Sequence, residues 1–355
     1  MANYISKRGA NVAPSYASTD DLPDSTEVGD LVFVGGQLGI AVSASGYQTC
    51  DKTDITIWKQ AGETYCYTYG SSVSDHNQKT QKITIASDAI AESGSNTLSQ
   101  TRYAPFTGKS ETVGYIISGS SDYMDKQTFA SDSYAAVNNA TEYDKRGASA
   151  MNDTNCYQFG GSDVNSNTIK KVTYSSEAQS AYGGTISDHS NNQYACGISS
   201  DTHGIIAGRF VSSSSPNRTR NIHKFSFASE GNSTSLGTMS SSSGQQLCAG
   251  SRSSDGRGFS AGGYDALDSP PYGAVVANIE QITFASGASA NFGNTLTVAD
   301  QGMATPFTAS VSYVCAGNAN STTFDKFSHS SGTSTVDIGT NFTGGSYPSN
   351  AGLGS

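Results

Sequence analysis

Short segments in which apolar and polar residues alternate recur six times along the chain, each close to Lys-apolar-Ser/Thr-aromatic. Three are Lys82-Ile83-Thr84-Ile85-Ala86-Ser87, Lys126-Gln127-Thr128-Phe129-Ala130-Ser131 and Lys171-Val172-Thr173-Tyr174-Ser175-Ser176. The others are Lys224-Phe225-Ser226-Phe227-Ala228-Ser229, Gln281-Ile282-Thr283-Phe284-Ala285-Ser286 and Lys326-Phe327-Ser328-His329-Ser330-Ser331. Positions one and three after the Lys are mostly apolar, and the Lys and the position two after it mostly polar, which is the period of a β-strand. Two residues before the Lys stand Thr80, Met124, Ile169, Ile222, Ile279 and Phe324. These share the Lys face and are mostly apolar, so both faces of the strand bury something, as in a sheet held between two other sheets. Successive copies lie 44, 45, 53, 57 and 45 residues apart. Such a period means one supersecondary unit used many times.

Upstream of each copy a second strand runs into glycine: Tyr65–Gly70, Gly114–Gly119, Asn155–Gly160, His203–Gly208, Arg257–Gly262 and Ser312–Gly317. Glycine at the end of a buried strand predicts positive φ or close backbone approach. A weaker strand follows each Lys segment, marked by Thr97-Leu98, Thr185-Ile186, Thr238-Met239 and Thr295-Leu296. A fourth segment precedes the glycine strand, as in Tyr103–Phe106, Tyr194–Gly197, Leu247–Gly250 and Ala304–Phe307. Four strands in roughly 50 residues fit a propeller blade of the kelch type. The fold class expected is all-β: a β-propeller of six four-stranded blades, preceded by a small β-hairpin and an extended N-terminal arm.

The expected boundaries are an arm over 1–30, a hairpin over 31–52 and the propeller over 53–355. The hairpin reads Leu31-Val32-Phe33-Val34, a Gly35-Gly36 turn, then Leu38–Val42. Ile55–Trp58 is a further short strand that could complete the first blade. The segment Tyr347–Leu353 resembles the pre-glycine segments, yet no glycine strand follows it. It is expected to pair with Tyr65–Tyr69 and close the ring, the competing reading being a loose Gly/Ser tail. The two long spacings arise from insertions at Val211–Thr219 and Tyr264–Ala274, expected as loops on top of a blade.

Composition sharpens the picture. Charged residues make up only 14% of the chain, but 19 Tyr and 14 Phe stand at periodic positions, which favours ordered β structure over disorder. A net charge of −10 argues against nucleic acid and anionic membranes as partners. No apolar stretch reads as membrane-spanning, and Met1–Arg8 lacks the apolar core of a signal peptide, so synthesis in a cytoplasm is expected. Cys50, Cys66, Cys156, Cys196, Cys248 and Cys315 show no C-x-x-C spacing, and five of them lie in repeat strands. They are expected as buried thiols rather than zinc ligands or disulfides.

Candidate chemistry is sparse. No nucleophile elbow, zinc-protease helix or P-loop is present. His76, His189, His203, His223 and His329 occupy different repeat positions, which argues against a metal site. Asp75, Asp125, Asp188, Asp255, Asp265 and Asp325 could pair as glycosidase carboxylates, but their settings equally suit turn-forming Asp. The five Lys and Gln281 could form an anion-binding ring, or each Lys could pack against the neighbouring blade with its stem buried. No catalytic residue, metal ligand or cofactor is assigned.

The repeat units, most closely Ile222-His223-Lys224-Phe225-Ser226-Phe227-Ala228-Ser229-Glu230-Gly231-Asn232, resemble kelch-like repeats in virion structural proteins of marine bacteriophages, especially those of cyanobacteria. The hairpin from Gly29 to Tyr47 is similar to hairpins near the N-termini of tail-fibre-like phage proteins. The resemblance covers about 300 residues and implies a propeller on a virus particle. It frays at Gln281 and His329. On it rests the expectation of a non-enzymatic virion protein, present in several copies, that binds other virion proteins through arm and hairpin. Its propeller would serve host-surface or glycan attachment, with a host cell-surface glycan as one partner. A purely architectural decoration or tail protein and a polysaccharide-degrading enzyme are the alternatives.

Overall fold

The structure, a computed structural model, describes residues 15–16, 31–34, 37–43, 46–49, 64–69, 80–92, 98–100, 105–110, 112–117, 123–137, 147–161, 167–187, 192–193, 195–211, 218–240, 249–252, 256–263, 275–299, 305–308, 310–315, 323–330, 335–340 and 351–354. Every regular element among them is a strand. The chain forms two compact units, Met1–Ala61 and Gly62–Ser355.

In the first unit, Leu31–Val34 and Gln37–Ser43 form the expected hairpin, with Val34 facing Gln37. It is larger than the alternation suggests. Gly46–Thr49 adds an antiparallel strand on one side, and Ser15–Tyr16 pairs in parallel with Leu31–Val34 on the other. The segment expected as an extended arm thus contributes to a four-stranded sheet.

Among the described residues the second unit has six antiparallel sheets, numbered I to VI in chain order of their Lys-type strands. Sheet I orders Ala351–Gly354, Tyr65–Tyr69, Thr80–Thr84 and Ala89–Glu92. Sheet II orders Phe106–Lys109, Val113–Ile117, Met124–Thr128 and Ser133–Val137. Sheet III follows with Ala148–Met151, Asn155–Phe159, Thr168–Thr173 and Ala178–Thr185. In sheet IV, Asn192–Gln193 and Cys196–Ser199 both pair with His203–Val211, followed by Arg218–Ser226 and Thr234–Thr238. Sheet V orders Ala249–Arg252, Arg257–Ala261, Asn278–Thr283 and Ser289–Thr295. Sheet VI has three strands, Val311–Cys315, Thr323–Ser328 and Val336–Thr340.

The strand order is the one read from the repeat: pre-glycine segment, glycine strand, Lys strand, downstream strand. Two details depart from it. In sheet VI the pre-glycine segment makes only a bridge, Phe307 to Ser312, beside a bond from the Tyr313 N–H to the Pro306 carbonyl. Pro306 has no N–H to return, which interrupts the ladder. In sheet IV the expected loop at Val211–Thr219 is shorter than the sequence suggests, because Arg209 and Phe210 pair on with Thr219 and Arg218 past a bulge at Gly208. Gly160, Gly208 and Gly262 have φ of 70°, 55° and 59°, the positive values anticipated after the glycine strands, though Gly208 forms a bulge within a longer strand rather than ending it.

Each pair of successive sheets encloses an apolar cluster. Tyr67, Tyr69 and Leu98 of the sheet I repeat meet Ile116 of sheet II. Phe106, Tyr115 and Met124 meet Cys156, Val172 and Tyr174 of sheet III, whose Tyr157 and Phe159 meet Ile206 and Phe225 of sheet IV. Ile205 and Ile222 meet Ile282 of sheet V, and Phe259 and Ile279 meet Val314 and Phe327 of sheet VI. Finally Tyr313, Cys315 and Phe324 of sheet VI meet Cys66 and Ile83 of sheet I. The fold is all-β and propeller-like. Sheet I draws its first strand from residues 351–354, which pair with Tyr69, Thr68, Tyr67 and Cys66. Ile55–Trp58, Tyr347–Asn350 and the insertion at 264–274 lie outside the described residues.

Candidate functional site

The recurrent Lys positions are equivalent in register. Lys82, Lys126, Lys171, Lys224, Gln281 and Lys326 each stand across from the central residue of the glycine strand: Tyr67, Tyr115, Tyr157, Ile205, Phe259 and Tyr313. Four of the Lys reach across to the next sheet. Lys82 pairs with Asp132, Lys126 with Glu177 at 2.5 Å, Lys171 with Glu230, and Lys326 with Asp88 at 2.7 Å. Each acid lies six residues after the Lys of its own repeat, at the end of the turn that follows the Lys strand. These four acids are the only non-glycine residues with positive φ among the described residues, at 49° to 55°.

A tyrosine hydroxyl joins three of the pairs. Tyr67 donates to Asp132 at 2.6 Å, Tyr313 to Asp88 at 3.1 Å, and Tyr115 to Glu177 at 3.5 Å and to the Tyr174 carbonyl at 3.1 Å. Tyr157 donates instead to the Phe227 carbonyl of sheet IV, at 3.4 Å. Burial, with the Glu177 carboxylate second, pushes the Tyr115 phenol up to about 12. Burial and Asp88 push Tyr313 higher still. Both phenols therefore stay protonated and donate.

Magnitudes indicate what these latches do. The paired side chains keep 21–34% of their surface exposed. Ion pairs so open to solvent contribute about 0–1 kcal/mol each. A non-glycine residue in the left-handed region costs about 1–2 kcal/mol, somewhat less for Asp. The two terms nearly cancel. The latches fix how one sheet sits on the next, and the apolar clusters supply the stability.

The junctions that lack an acid lack the tyrosine as well. Sheet V carries Gly287 at the acid position, and sheet IV offers Ile205 beside Lys224. Between sheets V and VI an arginine takes over. Arg257 donates to Gln281 at 2.8 Å and to the His329 carbonyl at 2.7 Å, with His329 stacked on Phe259.

A second set of polar residues, one before the Lys position in four of the six repeats, holds the chain where it leaves the preceding sheet. Asp125 accepts from the Ser99 N–H at 3.2 Å, Glu280 from the Ser240 N–H, and Asp325 from the N–H and hydroxyl of Thr297 at 2.9 and 2.6 Å. His223 lies 3.5 Å from the Ser187 hydroxyl. All four side chains are buried. Each bonded residue directly follows a buried apolar residue of the Thr-Leu/Ile/Met signature: Leu98, Ile186, Met239 or Leu296. Burial raises the Asp325 carboxyl above its ordinary value, and the two Thr297 bonds oppose that.

The structure thus gives Asp125 and Asp325 backbone-capping positions. Asp75, Asp188, Asp255 and Asp265 lie outside the described residues, as do His76 and His189. His203, His223 and His329 make separate contacts with Thr202, Ser187 and Ser312. Among the described residues no group of His, Cys, Asp and Glu is arranged to hold a metal. Cys66, Cys156, Cys196 and Cys315 are buried, and burial raises the Cys66 thiol to about 12. Cys50 and Cys248 lie outside the described residues. Asp88, Asp132, Glu177 and Glu230 are the residues that sequence reasoning missed. Their signal was present: an acid six residues after the Lys in four of six repeats.

No protein-family model and no curated protein matches the sequence. Many solved chains share the fold. One is the structure of YjhT, similar at a TM-score of 0.56 with 11% identity, over 68% of this chain and 84% of that one. At that identity the likeness concerns the all-β fold alone.

Proposed function

We propose that residues 62–355 form a closed, six-bladed propeller, and that the chain is a non-enzymatic structural protein of a virus particle. In this reading it presents the ring outward for attachment to a host-surface glycan. The observation that carries the proposal is the use made of the recurrent charges. In four of six repeats the Lys is engaged by an acid of the next sheet, and the last of these pairs, Lys326 with Asp88, joins sheet VI to sheet I. The repeat chemistry holds blades together, and recognition falls to the loops that differ between repeats. The virion setting rests on the resemblance of the repeats to phage structural proteins. Attachment to the particle is assigned to the unit Met1–Ala61, which folds as its own compact sheet.

The test uses labelled full-length protein and particles carrying it. Saturable binding to host cells, competed by purified host polysaccharide, is the expected result, with the chain located on the particle by labelled electron microscopy. Presence on the particle without cell binding would replace attachment by a purely architectural role. Release of reducing sugar from host polysaccharide would overturn the non-enzymatic assignment.

A further inference from the structure

Sheets IV and V meet without a latch, yet the cation is retained. Lys224 occupies the ladder position of the latched lysines, between Ile205 and Thr234. Among the described residues no carboxylate pairs with it. The turn that would answer it carries Gly287 at φ 68°. A Cβ added there would fall 1.9 Å from the Leu236 carbonyl oxygen, so this turn residue of sheet V cannot itself carry an acidic side chain. The phenol that completes other latches is absent too, because Ile205 replaces it. His203 lies two residues before Ile205 and pairs with Ser226, which puts it on the same face of the sheet as Lys224. Its Nδ1 lies 2.8 Å from the Thr202 hydroxyl. With that hydroxyl donating, the neutral ring carries its N–H on Nε2. Burial and the charge of Lys224 both lower the His203 pKa, which favours the neutral ring.

We propose that Lys224, with His203 beside it, is a carboxylate-binding position at the junction of sheets IV and V. An external acid group takes the place that Asp132, Glu177, Glu230 and Asp88 fill at the latched junctions. The ligand is a carboxylate, supplied either by an acidic sugar such as a uronate or by a small free acid. The inference deepens the glycan-attachment reading and rests on it for the sugar as source. The geometry of Lys224 stands without it.

Lysine acetylation of the intact protein, followed residue by residue by mass spectrometry, is the test. Lys224 should react roughly tenfold faster than Lys82, Lys126, Lys171 and Lys326, whose ammonium groups are held by carboxylates. Sodium glucuronate should slow it several-fold and glucose should not. Stronger protection by glucuronate than by acetate identifies the sugar acid as the ligand, and equal protection identifies a simple carboxylate site. Lys224→Gln should weaken glucuronate binding about tenfold, whereas Lys126→Gln should leave it unchanged. A Lys224 as slow as the latched lysines, protection by glucose equal to that by glucuronate, or no protection by either acid overturns the proposal. Glucuronate protection without binding to host cells would remove the attachment reading and leave the site. Cell binding unaffected by glucuronate and by Lys224→Gln would do the reverse.

Discussion

Lys326 and Asp88 are 238 residues apart in sequence, and the Lys326 ammonium lies 2.7 and 2.8 Å from the two carboxylate oxygens of Asp88. The same relationship links Lys82 to Asp132, Lys126 to Glu177 and Lys171 to Glu230, at separations of 50, 51 and 59 residues. One contact rule therefore operates both between consecutive repeats and between the last and the first. The apolar cluster of Cys66, Ile83, Tyr313, Cys315 and Phe324 accompanies the long-range pair.

The acid at the turn carries two opposed effects that mutation separates. Asp132→Ala keeps a side chain at φ 51° and removes the bonds from Lys82 and Tyr67. Asp132→Gly removes the same bonds and relieves the backbone cost. The alanine variant should lose about 1–3 kcal/mol and the glycine variant about 1 kcal/mol less than that. Chemical denaturation of both proteins checks this. A glycine variant less stable than the alanine variant would show that the turn is not strained.

Close packing between sheets III and IV should be equally legible in mutants. A Cβ at Gly204 would fall 2.1 Å from the Phe225 ring, which also packs on Tyr157, Phe159 and Tyr182. Gly204→Ala should therefore cost about 1–3 kcal/mol as overpacking, and Phe225→Ala about 3–5 kcal/mol as a cavity. The double variant should be more stable than the sum of the two losses predicts, because the alanine methyl enters the vacated space. Simple additivity in the melting or denaturant data would count against this packing.

Asp325 supplies a pH dependence of known sign. Its folded pKa is raised, chiefly by burial, so the folded protein binds this proton more tightly than the unfolded chain. The resulting stabilisation is full below the unfolded value of about 4 and is lost as pH rises through the raised folded value. Asp325→Asn removes the titration. The stability of the variant relative to the parent should therefore improve from acid toward neutral pH, other carboxylates cancelling in the difference. A difference that stays flat or worsens with rising pH would contradict the buried placement.

Much of this architecture was legible because the repeat exposes it. The alternation around each Lys located the central strands, and Gly160 and Gly262 marked strand ends by their backbone needs, whereas Gly208 marked a bulge past which its strand continues. The likeness of the C-terminal segment to the pre-glycine segments anticipated the pairing of Leu353 with Tyr67. The latching acids were not legible in the same way. An Asp or Glu ending a hairpin turn looks like ordinary surface, and its partner belongs to another repeat. Asp125 and Asp325 were hidden by a different cause. They lie on a strand buried on both faces, where alternation no longer separates core from solvent, and their partners are backbone N–H groups that no side-chain pattern reports. The single bridge at Phe307 in sheet VI follows from Pro306, visible in the sequence but significant only once its ladder position is known.

Zero-length carbodiimide cross-linking with peptide mapping tests the closed ring most directly, because it joins a lysine to a carboxylate only where the two are in contact. A closed ring gives four inter-repeat links within a single chain: Lys82–Asp132, Lys126–Glu177, Lys171–Glu230 and Lys326–Asp88. An open stack of the same sheets would give the first three without the fourth. Absence of the intramolecular Lys326–Asp88 link, in a protein where the other three form, would contradict the ring.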